Sequence, residues 1–181
     1  CMRRPKADQQ MKRILIVTLS TLLLSGCEKI PDYDNNTIFM VEFSNRAWVI
    51  QHSGIMIDST GNVMTFNLPT TWNRPDEMGF ISLADMLENL AQMEEISCTV
   101  TRNDFAKYSS KLMKAKNGTL SDPENEMDDF GTVQYSGFLY DPDNNCFKKI
   151  LIKQTGDWAI ENSSKEAKAL YEWLKRPCNS N

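Results

Sequence analysis

The chain has 181 residues, of which 20 are Lys or Arg and 24 are Asp or Glu, for a formal net charge of −4. That balance excludes a nucleic-acid binder built on a basic face, and it offers no electrostatic adhesion to anionic lipid. Five of the basic residues but only one acidic residue fall within positions 1–26, so the 155 residues that follow carry a net −8 and suffice for one domain with a real core.

From the amino terminus, residues 1–10 hold Arg3, Arg4, Pro5 and Lys6 and precede Met11, a better place for translation to start. They read as a mis-assigned start or a dispensable extension. Lys12 and Arg13 then lead into an apolar run of eleven residues, Ile14 to Leu24, too short to span a bilayer and followed by the small residues Ser25 and Gly26. The next residue is Cys27. The motif Leu24-Ser25-Gly26-Cys27 at the end of such a run resembles the lipobox of bacterial lipoprotein precursors. The resemblance spans residues 11–27 and implies a signal peptide over 11–26, removed as Cys27 is lipidated with diacylglycerol and a further acyl chain such as palmitate. One acyl chain holds a protein only marginally and two hold it stably, so the three that family members carry would fix it to a membrane leaflet. Glu28 and Lys29 stand where the family's inner-membrane members commonly carry aspartate, which implies the bacterial cell envelope, with the outer membrane favoured over the inner. No resemblance extends into the globular part.

Residues 27–37 are rich in turn formers around Pro31 and poor in apolar groups, which predicts a flexible tether, with one globular domain over 38–181. Phe39, Val41 and Phe43 alternate with Met40 and Glu42, the period of a strand with one buried face. Residues 47–51 fit strand or short helix equally. The apolar runs 55–57 and 63–68 flank Ser59-Thr60-Gly61-Asn62 and predict a hairpin whose reversal needs the positive φ of Gly61. After a loop with Pro69, Pro75 and Gly79, Ser82 and Asp85 form a capping box for a helix bearing Leu83, Met86, Leu87, Leu90 and Met93. A short strand is expected over 96–101, then a helix from Asn103 or Asp104 carrying Phe105, Tyr108 and Leu112 and stopped at Asn117-Gly118. Residues 122–129 are too acidic to pack and predict an exposed loop. A second hairpin joins 133–140 to 147–152 around Asp141 to Asn145, with Ile150, Leu151 and Ile152 expected to be covered on both faces. A last helix, capped by Asn162 or Ser163, carries Ala167, Leu170, Tyr171 and Leu174 and stops at Pro177. The fold class is α+β: an antiparallel sheet built from two hairpins plus short strands, with about three helices packed on it.

An exported compartment permits disulfides. A helix running back antiparallel from the strand near Cys146 returns Cys178 to its neighbourhood, so the pair Cys146 with Cys178 is expected, leaving Cys98 as a buried apolar thiol. His52 is the only histidine. It sits in Gln51-His52-Ser53-Gly54 at an apparent turn, where an exposed or backbone-bonded imidazole is the ordinary outcome, and a single histidine gives no multi-imidazole metal site. Asp141, Asp143 and Asn145 alternate as in a calcium loop, but Cys146 and Ile152 occupy the places where an EF-hand needs glycine and glutamate. The methionines are spread along predicted core stripes and do not form a copper site. No catalytic residue, metal or cofactor is therefore assigned.

Most aromatic residues belong to the core. Trp72, in Thr70-Thr71-Trp72-Asn73-Arg74-Pro75, is harder to bury beside a proline, so Trp72 with Arg74 is the candidate partner-binding pair. The function expected is a membrane-tethered, non-enzymatic binding or scaffolding module contacting an envelope protein or polysaccharide. Two rivals are an inhibitor or immunity-type lipoprotein against a basic toxin or lysozyme-like enzyme, and a carboxylate-dependent hydrolase with two converging acids.

Overall fold

The apolar alternation beginning at Ile38 does form a strand, and the computed structural model, which describes residues 37–179 except 48 and 95, covers that strand on both faces. The elements in chain order are β1 (Thr37–Asn45), β2 (Gln51–Ile57), β3 (Asn62–Asn67), β4 (Phe80–Ser82), α1 (Leu83–Leu90), β5 (Ile96–Thr99), α2 (Arg102–Ala115), β6 (Glu124–Asn125), β7 (Thr132–Asp141), β8 (Cys146–Gly156), β9 (Trp158–Glu161) and α3 (Lys165–Leu174). All strand pairs are antiparallel, in the order β5-β3-β2-β1-β7-β8-β9-β6, with β4 on β8. The fold is α+β, with both expected hairpins present as β2–β3 and β7–β8. The expected signal peptide 11–26, Cys27, the tether as far as residue 36, and Trp48 lie outside the described residues. Thr37, expected in the tether, is buried and begins β1.

Two layers cover the sheet. On one face Phe39 meets Phe105 of α2 and Trp173 of α3 edge-on, at 5.8 and 4.9 Å between ring centres. On the other, Ile38, Met40, Met56, Phe138 and Phe147 pack with Ile81 of β4 and Met86 of α1, and Trp72 leans on the same cluster. Burying such side chains stabilises by about 1.5–3 kcal/mol each.

Helix starts follow side-chain chemistry. Ser82 Oγ accepts the Asp85 amide at 3.0 Å and donates to its carboxylate, as the capping box predicts. Thr101 caps α2, two residues before Asn103, the earlier of the two expected starts. Ser164, and not Asn162 or Ser163, caps α3, because the Asn162 amide instead donates to the Ala115 and Leu151 carbonyls and ties α2 to β8. Between the end of β1 and the start of β2, residues 46, 47, 49 and 50 are neither strand nor helix, and Gln51 begins β2.

The expected Cys146–Cys178 bridge is corrected: Cys98 pairs with Cys178, their Cα atoms 5.9 Å apart, and Cys146 is a free, half-buried thiol. The helix α3 does not stay beside β8. Its first turns lie against Ile152 and Lys153 of β8, whereas its end, with Leu174 and Pro177, reaches Val41, Ile55 and Val63 on the far half of the sheet. Crossing the strands delivers Cys178 to edge strand β5, which β3, β2, β1 and β7 separate from Cys146 on β8.

Candidate functional site

Loop residues 68–79 connect β3 to β4 across the sheet face away from α2 and α3, and they are held by amide side chains of α1. Asn89, buried on α1, accepts the Asn73 amide and donates to the Asn73 carbonyl, both at 2.8 Å, pairing with the loop as a strand would. Gln92, just past the helix, accepts the Thr71 amide at 3.0 Å and donates to its hydroxyl at 2.9 Å. Asn73 in turn donates to Glu88 at 2.9 Å. The loop is thereby fixed as a wall, and Asp76 closes its far end by accepting the Phe80 amide at 2.8 Å.

Beneath the wall is a cavity of about 250 Å³ lined by Met40, Glu42, Trp72, Arg74, Gln134 and Lys149, among others. Its Glu42 and Trp72 are joined by a cross-strand row beside it. Glu42 of β1 pairs with Gly54 of β2, and Gly54 with Phe66 of β3. The missing side chain at Gly54 leaves the space into which the Phe66 ring settles. Phe66 stacks on Trp72 at 4.5 Å, and the imidazole of His52 meets both rings edge-on, 5.2 Å from Phe66 and 5.0 Å from Trp72. Trp72 is thus half-buried, stacked on one side, and forms the cavity wall; it is not the free loop platform expected from its neighbouring proline.

His52 differs from expectation in the same way. It lies within β2, with its side chain 12% exposed, and its Nε2 is 2.8 Å from Glu42 Oε1. Glu42 is 6% exposed. The Arg74 guanidinium stands 3.7 Å from the same carboxylate oxygen. On the other side of Glu42 an amide ladder crosses the sheet: Lys149 Nζ donates to Gln134 Oε1 at 2.6 Å, Gln134 Nε2 to Gln154 at 2.7 Å, and Gln154 Nε2 to the Trp158 carbonyl at 2.8 Å. Burial pushes the Lys149 ammonium below the ordinary lysine range; the nearby Glu42 carboxylate pulls it back and the Arg74 guanidinium presses it down.

The cleft is lined by a buried carboxylate and two cations, with an imidazole outside that lining bonded to the carboxylate; such groups are costly to hold and concentrate where ligands bind. Glu42 is the buried acid here, whereas Asp76 and Glu77 stand exposed at the rim. Ser44 lies opposite His52 in register but makes no hydrogen bond to the ring among the described residues. The Asp141 carboxylate accepts the Asp143 amide and the Asn144 side chain, and Asn145 accepts from Tyr140, so that turn uses its own polar groups. Among the described residues no group of three or more His, Cys, Asp or Glu side chains is placed to hold a metal ion, and no helix is long and apolar enough to cross a membrane.

Of the predicted pair, Trp72 and Arg74 both line the cleft. Glu42, His52, Gln134, Lys149 and Gln154 were missed. Their sequence signal is a charged or amide residue at an inward position of a strand, and Glu42 between Val41 and Phe43 carries it once both strand faces are known to be covered. The fold and site together define an α+β domain with a polar, aromatic-walled cleft. No protein-family model, curated protein or solved structure matches the chain.

Proposed function

We propose that the chain is a cell-envelope lipoprotein, anchored through Cys27, whose domain binds an envelope ligand in the cleft beneath residues 68–79 without transforming it. The observation that carries this is the clamped wall: reciprocal Asn73–Asn89 hydrogen bonds hold Trp72 in place over the buried Glu42–His52 pair. A site already ordered before its ligand arrives loses little entropy on binding. Lys149 and Arg74 supply donors that their protein partners leave unused.

A second reading is an inhibitor or immunity-type lipoprotein aimed at a basic enzyme. The exposure of every residue from 122 to 130, with acids at 122, 124, 126, 128 and 129, favours it, since such a loop suits a cationic protein surface.

Two measurements on the full chain expressed in a bacterium test the proposal. Intact mass of the detergent-extracted protein is expected to match a product beginning at an acylated Cys27. Tryptophan fluorescence is expected to change saturably with solubilised envelope polysaccharide or a periplasmic protein fraction, and Trp72→Phe to alter that response. An unmodified thiol at residue 27 sinks the anchor; binding that survives disruption of the cleft by Asn89→Leu sinks the site. Capture of a cationic protein, abolished by about 0.5 M salt, selects the second reading.

A further inference from the structure

The cleft does not end at Lys149. A second cavity, of about 410 Å³, shares Glu77, Gly79, Gln134 and Lys149 with the first and continues past Lys116 and Lys148 toward Leu120 and Asn162. Lys149 therefore lines both cavities, which adjoin along these shared residues to form the groove. Its wall carries Arg74, Lys149, Lys148 and Lys116 against Glu42, Glu77 and Asp76. Glu42 already has His52 at 2.8 Å and Arg74 at 3.7 Å. Lys148 donates to the Met78 carbonyl and lies 4.3 Å over the Phe80 ring.

The ammonium of Lys149 is different. It has one hydrogen-bond acceptor, Gln134 Oε1, and no carboxylate within ion-pair distance among the described residues. Glu42, the carboxylate whose field it feels, is already engaged by His52 and Arg74, so this half-buried cation has two N–H donors to offer an anion in the groove. The groove sets four cations against three carboxylates, and with Glu42 engaged by His52 and Arg74 and the other two acids at the rim, the group facing its middle is the Lys149 ammonium, which favours a negative partner. The indole of Trp72 and the length of the groove suit a sugar chain, whose rings lie against aromatic walls while its acidic groups meet cations.

Resting on the cleft reading above, we propose that the groove binds an acidic saccharide whose carboxylate or phosphate is held by Lys149 and Arg74, with further acidic units reaching Lys148 and Lys116. The full chain in detergent is titrated with trigalacturonate, with its neutral methyl ester, and with glucose 6-phosphate, and binding is followed by calorimetry. Trigalacturonate is expected to bind at least tenfold more tightly than the ester and to weaken with added salt. Lys149→Met is expected to remove that preference and Lys149→Arg to keep it; Lys116→Met is expected to weaken the trisaccharide and leave glucose 6-phosphate unchanged. Binding of the phosphate alone supports the same chemistry from a phosphorylated sugar. Equal binding of acid and ester overturns the inference while leaving the cleft as a neutral-ligand site. Preference for the acid that persists in a folded Lys149→Met protein, or failure of all three probes to bind, overturns it outright; if Trp72 fluorescence is also inert to envelope fractions, the cleft reading falls with it.

Discussion

A methyl group at position 54 has nowhere to go, because a Cβ built there lies 2.0 Å from the Val41 carbonyl oxygen and 2.9 Å from the Phe66 ring. Gly54→Ala must therefore displace either the β1–β2 ladder or the ring that stacks under Trp72, an overpacking cost of about 3 kcal/mol. The expected result is a lower urea midpoint at unchanged slope; wild-type stability would show that Phe66 is free to move aside. Lys149 acts in the opposite direction. Its pKa in the folded protein lies below that of the unfolded chain, so between the two values the folded state binds fewer protons. Stability then rises as pH climbs through that window, and at neutral pH the burial of the ammonium is a standing penalty. Lys149→Met is expected to stabilise the protein by about 1 kcal/mol at pH 7 and to flatten the alkaline rise, the pattern of a residue kept for binding at the expense of stability. A fall in melting temperature would instead make its bond to Gln134 a structural support.

Hairpins and the α1 cap were legible because their signals are local: Gly61 has φ +87° in the β2–β3 turn, and Ser82 with Asp85 closes the start of α1. Partnerships between distant elements were not, since periodicity says that a face is buried and not what buries it. Glu42 looked like the wet side of β1 because nothing in the alternation announces that α1 and loop 68–79 cover it. The disulfide failed for the same reason. Local geometry favoured Cys146, but α3 crosses the sheet and meets edge strand β5, and only the strand order reveals that. Cys98–Cys178 pins that edge across a separation of 80 residues, a constraint worth about 2–4 kcal/mol in loop-closure terms. Reduction, or Cys98→Ser with Cys178→Ser, should lower the melting temperature by about 10 °C. Identical melting of oxidised and reduced protein would contradict the pairing.

At the scale of the whole molecule, the described residues belong to one compact unit, residues 34–181, in which a single sheet separates two unlike layers. In the α2–α3 layer, α2 is pressed so tightly on β7 that a Cβ at Gly137 would lie 2.3 Å from Leu112. The other layer is apolar at one end, where α1 and β4 pack, and polar at the other, where Glu42, His52 and Lys149 gather. Fold class was readable from composition and period alone; of the site, only Trp72 and Arg74 were, because they sit in a loop whose chemistry is local. The central claim is that this polar end is where the protein meets its ligand. It is tested most directly by the methyl NMR spectrum of protein carrying ¹³C-labelled methionine, titrated with trigalacturonate and with a digest of envelope polysaccharide. Met40, Met56 and Met86 line the cavity, whereas Met113 and Met127 are exposed and take no part in it. Saturable shifts at the first three, joined by Met78 of the adjoining cavity when the ligand is the trisaccharide, are predicted; shifts only at Met113 or Met127, or none with either addition, would contradict the account.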